Sequence, residues 1–250
     1  MAVVQPTTDD YVLLCGVPWE TYKRMLDALG EHHWRHVYVQ GTLEMPSLVH
    51  GLTWQEYRKF LDALGDLNLR HTFSQGTLEM MSPRKDHDWY SRLIGRLIQQ
   101  LALDLNIEIQ SIGSTTLLGE HAERSVQPDE AYYVANEAVV RGKKQFDPQR
   151  DPPPDLIVEV DVTNSCLPRL PIFASLRIPE LWRFDGKRMR FHGLEPTGEY
   201  QELSHGRAFP MVVPADFDEA LGQSALVTEN ELVRSFVRRV RARLNEQGSA

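Results

Sequence analysis

The sequence predicts an α+β (α/β) protein in which helices and strands are organised around one buried strand. Three observations carry this. The run Asp155-Leu156-Ile157-Val158-Glu159-Val160-Asp161 lies between a proline triplet, Pro152 to Pro154, and the polar Thr163-Asn164-Ser165, so it reads as a central strand covered on both faces. Apolar residues at helical spacing mark several amphipathic helices, the longest from about His87 to Leu105. Near the N-terminus, an internal repeat with a 35-residue period joins a helix to a hairpin in each copy.

The repeat is explicit. Gly16, Trp19, Tyr22, Leu26-Asp27-Ala28-Leu29-Gly30, Arg35-His36 and Gln40-Gly41-Thr42-Leu43-Glu44-Met45 recur as Gly51, Trp54, Tyr57, Leu61-Asp62-Ala63-Leu64-Gly65, Arg70-His71 and Gln75-Gly76-Thr77-Leu78-Glu79-Met80. Two copies are too few for a solenoid. Trp54, Tyr57, Phe60, Leu61 and Leu64 form the helical stripe, and Thr53 with Glu56 is a capping box; Pro18 stands in that place in the first copy. Arg70–Ser74 and Leu78–Met81 flank the turn at Gln75-Gly76. His36 and His71 recur with the repeat, which edge-strand packing explains.

Beyond the repeat, residues 107–118 read as a strand or a bent pair broken at Gly113, and 119–126 as a polar turn. A strand follows Asp129, then a long loop from Asn136 to Pro154 carrying Arg141-Gly142-Lys143-Lys144, either laid over a substrate or simply solvated. After Asp161 a short helix spans about Pro168–Leu176, capped within Asn164–Cys166. A hairpin joins Glu180–Asp185 to Arg188–Gly193, and Glu199–Leu203 adds a strand. The last helix opens with the capping box Thr228/Glu231 and buries Val233, Phe236, Val237 and Val240. Its arginines, 234, 238, 239, 241 and 243, suit a solvated or partner-binding helix, or one that binds phosphate. Residues 245–250 are expected to be disordered. The domain expectation is a first repeat copy at 1–50, a main domain at 51–215 containing the second copy, and a C-terminal helix and tail at 216–250.

Composition narrows the class. An apolar content of 42% and a charged content of 25% are ordinary for a soluble globular protein. Two cysteines without a pairing pattern, the acid-bearing start without a basic stretch, and no run of membrane-spanning length point to a cytoplasmic protein. A net charge of −8 gives no global attraction for nucleic acid, although Arg84-Lys85 with Arg92 and Arg96, and Arg141 to Lys144, are locally basic.

Chemistry enters through the carboxylates. Alternation puts Asp155, Ile157, Glu159 and Asp161 on one face of the central strand. Carboxylates there repel and lose hydration, so they need a cation, a proton or a basic partner. Asp129, before a neighbouring strand, could add another, and hard oxygen ligands suit Mg²⁺ or Mn²⁺. Capping the next helix or pairing with an arginine are the structural alternatives.

Further motifs stand in a telling order: Trp54-x-x-Tyr57, Gly76-Thr77-Leu78-Glu79-Met80 with Ser82-Pro83, the helix from His87, Val126-Gln127-Pro128-Asp129, Pro154-Asp155-Leu156-Ile157-Val158-Glu159-Val160, and Ile178-Pro179-Glu180-Leu181-Trp182. In this order the chain resembles the PD-(D/E)xK restriction-endonuclease-like superfamily, and within it the Uma-type family of endonucleases. The likeness covers about residues 51–195, with a partial second match at 16–46.

The resemblance implies a restriction-endonuclease-like core, a mixed central sheet flanked by helices, and a nuclease hydrolysing DNA phosphodiesters with Mg²⁺ or Mn²⁺. Asp129, Glu159 and the main-chain carbonyl of Val160 would hold the metal, and His87 or Asp88 would complete the shell. Nucleic acid, DNA rather than RNA, is the implied partner, and a homodimer would suit double-strand cutting. A nuclease-fold protein that binds without cutting is the alternative. The superfamily's lysine would stand two residues after Glu159, where this chain has Asp161; related Uma-type chains place a lysine on the next helix, where this chain has Arg169. Arginine keeps its proton, so Arg169 would act by charge rather than as a base. Asp161 would be a further ligand or hold a water.

Overall fold

The computed structural model describes residues 3–5, 11–30, 35–65, 67, 69–81, 85–143, 150–161 and 168–247. In chain order the elements are β1 (Val3–Gln5), β2 (Tyr11–Cys15), α1 (Trp19–Leu29), β3 (Val37–Val39), β4 (Thr42–Pro46), β5 (Leu48–His50), α2 (Trp54–Leu64), β6 (Arg70–Ser74) and β7 (Thr77–Met81). There follow α3 (Lys85–Asp104), β8 (Gln110–Ser111), β9 (Leu117–Gly119), β10 (Arg124–Val126), β11 (Glu130–Tyr133), α4 (Glu137–Val140), β12 (Leu156–Val160) and α5 (Arg169–Ser175). The chain closes with β13 (Glu180–Phe184), β14 (Met189–Leu194), β15 (Tyr200–Leu203), α6 (Pro214–Gly222) and α7 (Glu229–Gln247). It divides into two compact units: Met1–Lys85 with Leu118–Gln127 and Cys166–Ile172, and Asp86–Leu117 with Pro128–Ser165 and Phe173–Ala250.

In the first unit each repeat copy is strand, helix and hairpin, one strand more than the sequence suggests. Of the extra strands, β5 has only three residues, and β2 has five whose alternate burial of Val12 and Leu14 is hidden in the unbroken apolar run Val12-Leu13-Leu14. Their pairing repeats 35 residues apart: Leu14 faces Leu43 as Val49 faces Leu78, and Tyr38 faces Leu43 as Phe73 faces Leu78. Both hairpins turn through two left-handed residues, Gln40-Gly41 and Gln75-Gly76, the geometry that a tight two-residue connection requires. Ring stacking is duplicated as well, Tyr22 on Tyr38 at 4.3 Å and Tyr57 on Phe73 at 4.4 Å. The capping box of α2 forms, with Thr53 N–H donating to Glu56 Oε2 at 2.7 Å and Glu56 N–H to Thr53 Oγ1 at 3.2 Å. Helix α1 has no side-chain cap at Pro18.

The copies differ at their edges. Strand β10 pairs with β6, and the sheet order is β5-β7-β6-β10-β9, so the segment read as a polar turn contains a strand. The first copy's sheet is β1-β2-β4-β3, with β3 at its edge. Buried side chains of both copies, among them Met25, Leu29, Leu43, Tyr57, Phe60 and Leu78, form one hydrophobic cluster. His71 packs 5.9 Å from Tyr57, and its Nδ1 lies 3.0 Å from Leu69 O; it sits on β6, between β7 and β10, and not on an edge strand as expected.

The second unit is a mixed six-stranded sheet, ordered β15-β14-β13-β12-β11-β8. Only β12 and β13 run parallel, and a crossover through α5 makes that possible. Leu156, Val158, Val160, Trp182, Phe184 and Phe191 turn one face towards Leu93, Leu97 and Leu101 of α3 and Phe217 and Phe236 of α6 and α7. Helix α6 is not legible as a separate element, because the run Phe209 to Val213 passes directly into Pro214, where the helix opens. Helix α7 runs to Gln247, into the stretch expected to be disordered; half of its capping box forms, with Glu231 N–H donating to Thr228 Oγ1. The loop from Asn136 contains the single turn α4, and residues 107–118 contribute two short strands to different sheets. The cap expected within Asn164–Cys166, along with Ser82-Pro83, Arg84 and Lys144, falls outside the described residues.

Candidate functional site

Strands β11 and β12 are antiparallel, with Glu130 facing Val158. The same register continued by one residue sets Asp129 opposite Glu159. Both acids are buried, at 3% and 1% exposure. The Val160 N–H donates to Asp129 Oδ2 at 2.7 Å. In an extended strand the N–H and C=O of one residue point to the same edge, so the Val160 carbonyl shares the Asp129 side of β12. His87, on the first turns of α3, is buried and places Nε2 3.0 Å from Asp129 Oδ2. Asp129, Glu159, Val160 and His87 therefore meet in the second unit. Asp88, the alternative to His87, has Oδ1 3.6 Å from His87 Nδ1.

The other acids of the central strand have different tasks. Asp155 accepts from the N–H groups of Val134 and Asn136 and from Asn136 Nδ2, at 2.6–2.9 Å, and so anchors the chain after β11. Asp161 is gripped by Arg183, whose Nε donates to Asp161 Oδ2 at 2.8 Å and whose Nη2 shares the same oxygen. The expected free ligand or water-holder is thus one half of an ion pair, the arginine alternative that residue types left open. Arg183 faces Glu159 across the parallel pair β12–β13. Sequence reading missed it, since nothing local to Glu180–Phe184 reveals which strand will lie alongside. Arg169 opens α5 and belongs to the first unit, where its Nη2 lies 3.6 Å from the Met81 sulfur.

The basic stretches are largely committed within the chain. On α7, Arg239 pairs with Glu219, Arg241 with Asp104 and Arg243 with Asp216. Arg96 pairs with Glu229, Arg141 with Glu137 and Lys143 with Asp151. Through its three paired arginines α7 is tied to α6 and α3, while Arg234 and Arg238 stand exposed on its outer side.

Among the described residues, no group of three or more His, Cys, Asp or Glu side chains has metal-holding spacing. Mg²⁺, however, is usually held by one or two carboxylates, with waters and substrate phosphate supplying the other oxygens. The chemistry of Asp129 and Glu159 fits such an ion. No helix among the described residues is long and apolar enough to cross a membrane.

The second unit is thus an α+β arrangement in which a mixed sheet carries two buried acids at facing positions of adjacent strands. The chain belongs to the Uma2 family, described as "Putative restriction endonuclease", whose sequence model matches residues 54–222. Two crystal structures are similar in part. The type IIG restriction endonuclease BpuSI is 16% identical, with a TM-score of 0.33 over 63% of this chain; the chain spans 17% of its length. A "putative nuclease belonging to DUF820" from Anabaena variabilis ATCC 29413 is 12% identical, with a TM-score of 0.43, over 75% of this chain and 99% of its own. No curated protein matches.

Proposed function

We propose that the protein is a Mg²⁺- or Mn²⁺-dependent nuclease that hydrolyses phosphodiester bonds, DNA being the favoured substrate. The observation carrying this is the cross-strand pair of buried acids, Asp129 and Glu159, in a chain of the Uma2 family. Asp129, Glu159 and the Val160 carbonyl would hold the ion. Once bound, it would polarise the phosphodiester, lower the pKa of a water and offset charge on the leaving oxygen. Asp129 is kept in place by the Val160 N–H and by His87. His87 thereby orients a ligand rather than attacking substrate. Burial of the two acids excludes bulk water and strengthens their hold on a cation.

A second reading, a nuclease fold that binds nucleic acid without cutting, is favoured by one feature. The position two after Glu159 holds Asp161, tied to Arg183, and arginine cannot serve as a general base.

Calorimetric titration of Mn²⁺ into the wild type, Asp129→Ala and Glu159→Ala, followed by cleavage of supercoiled plasmid, separates the two. The nuclease reading expects Mn²⁺ binding and nicking in the wild type, and loss of both in each variant. Binding without cleavage selects the second reading. A folded wild type that gives no heat with Mn²⁺ removes the metal from both.

A further inference from the structure

On the sheet face that carries Glu159, the next two strands present a row of cationic side chains. Register places Arg183 beside Glu159 and Arg190 opposite Arg183; one step along, His192 faces Leu181. The alternate residues of these strands, Trp182, Phe184, Met189 and Phe191, go into the core, so both arginines stand on the opposite face. Their side chains are 38% and 48% exposed. Neighbouring strands lie about 5 Å apart, so the backbone at Arg183 is about 5 Å, and at Arg190 about 10 Å, from that at Glu159.

Two arginines directly opposite each other cost stability, because like charges repel across a strand pair. Each is balanced by an acid at the sheet end: Asp161 holds Arg183, and Asp185 Oδ2 lies 3.1 Å from Arg190 Nη1. Such partly exposed pairs contribute little to stability. A phosphate can therefore replace the carboxylate at little cost, and guanidinium groups suit phosphate oxygens in two-point contact. In a chain of net charge −8, a local row of this kind is what would draw in a polyanion.

We infer that Arg183 and Arg190 form a track for the sugar–phosphate backbone of nucleic acid, gripping the phosphates next to the one that a metal ion at Asp129 and Glu159 would engage. The inference rests on the nuclease-site reading for its direction and adds the residues that position the strand. Asp161 preorganises Arg183 while the track is empty. His192 extends the track as a neutral donor, its imidazole held below the usual range first by burial and then by the charge of Arg183.

The test is fluorescence anisotropy with a short fluorescein-labelled DNA duplex and its single strand, in Ca²⁺, over a salt series. The proteins are the wild type, Arg183→Gln, Arg190→Gln, the double variant and Arg183→Lys. Each glutamine variant should weaken binding about tenfold and lower the log–log salt slope by about 1, the double variant more, while Arg183→Lys keeps most of the affinity. Thermal melting checks that each variant folds, and Arg190→Gln alone suffices if Arg183→Gln does not. Wild-type affinity in the double variant, an unchanged salt slope, or no binding by the wild type overturns the track. Cleavage that depends on Asp129 but not on the arginines overturns the track and leaves the nuclease reading standing. Arginine-dependent binding without cleavage does the reverse.

Discussion

His71 shows how strongly one buried side chain can be bent from its solution behaviour. Burial pushes its imidazole down to about 4 from 6.5, against a smaller opposing effect of the Leu69 carbonyl. The folded chain thus keeps His71 neutral while the unfolded chain takes up a proton near its ordinary pKa. Between those values the unfolded state binds more protons, so stability falls as pH drops from about 6.5 to about 4. The loss is about 3 kcal/mol at most, at about 1.4 kcal/mol per pH unit. Urea unfolding across this range should show the decline, and His71→Phe should flatten it. Buried acids are handled by donors instead. Glu180 accepts from Trp182 Nε1, Arg207 N–H and Ala208 N–H, although desolvation still raises its pKa.

At the scale of elements, the site depends on how closely α3 approaches β11. Gly95 makes that approach possible: a Cβ there would come within 3.0 Å of the Tyr132 hydroxyl and 3.3 Å of the Glu130 carboxylate. Gly95→Ala gains helix propensity but presses on the Tyr132 hydroxyl and the Glu130 carboxylate, which must give by a few tenths of an ångström in a buried contact, and overpacking of this kind costs about 1–3 kcal/mol. Denaturant unfolding should find the variant less stable than the wild type; equal or greater stability would mean that the contact yields. The crossover from β12 through α5 to β13 matters in a different way. It brings Arg183 alongside Glu159, a pairing made by residues more than twenty positions apart.

For the whole molecule, the duplicated module raises the question of whether the first copy is an accessory. Helices α1 and α2 pack together, and the side chains of both copies share one cluster. A chain lacking residues 1–46 would leave apolar surface of the second copy bare. It should melt at a lower temperature and show a greater tendency to aggregate than the full chain. An unchanged melting temperature would make the first copy a removable appendage.

Much of this was legible in the residues themselves. The 35-residue period marked the paired helix–hairpin modules, because matching local patterns dictate matching turns and ring stacks, although only the second helix carries a capping box. The apolar run with embedded acids marked β12, and the resemblance pointed to Asp129, Glu159, Val160 and His87, which the fold places in one unit. Other features belong to tertiary structure alone. Strands β5 and β10 are too short to carry a period of their own, β2 hides its alternation in an apolar run, and each is completed by hydrogen bonds from a neighbouring strand. Only β13 shows that a guanidinium stands beside Asp161, and only α6 and α3 supply the acids that meet Arg239, Arg241 and Arg243 of α7. Local sequence determines which residues form helices, turns and strands, through contacts a few positions apart. Which charge meets which is decided by strand order and register, set by burial of the whole core.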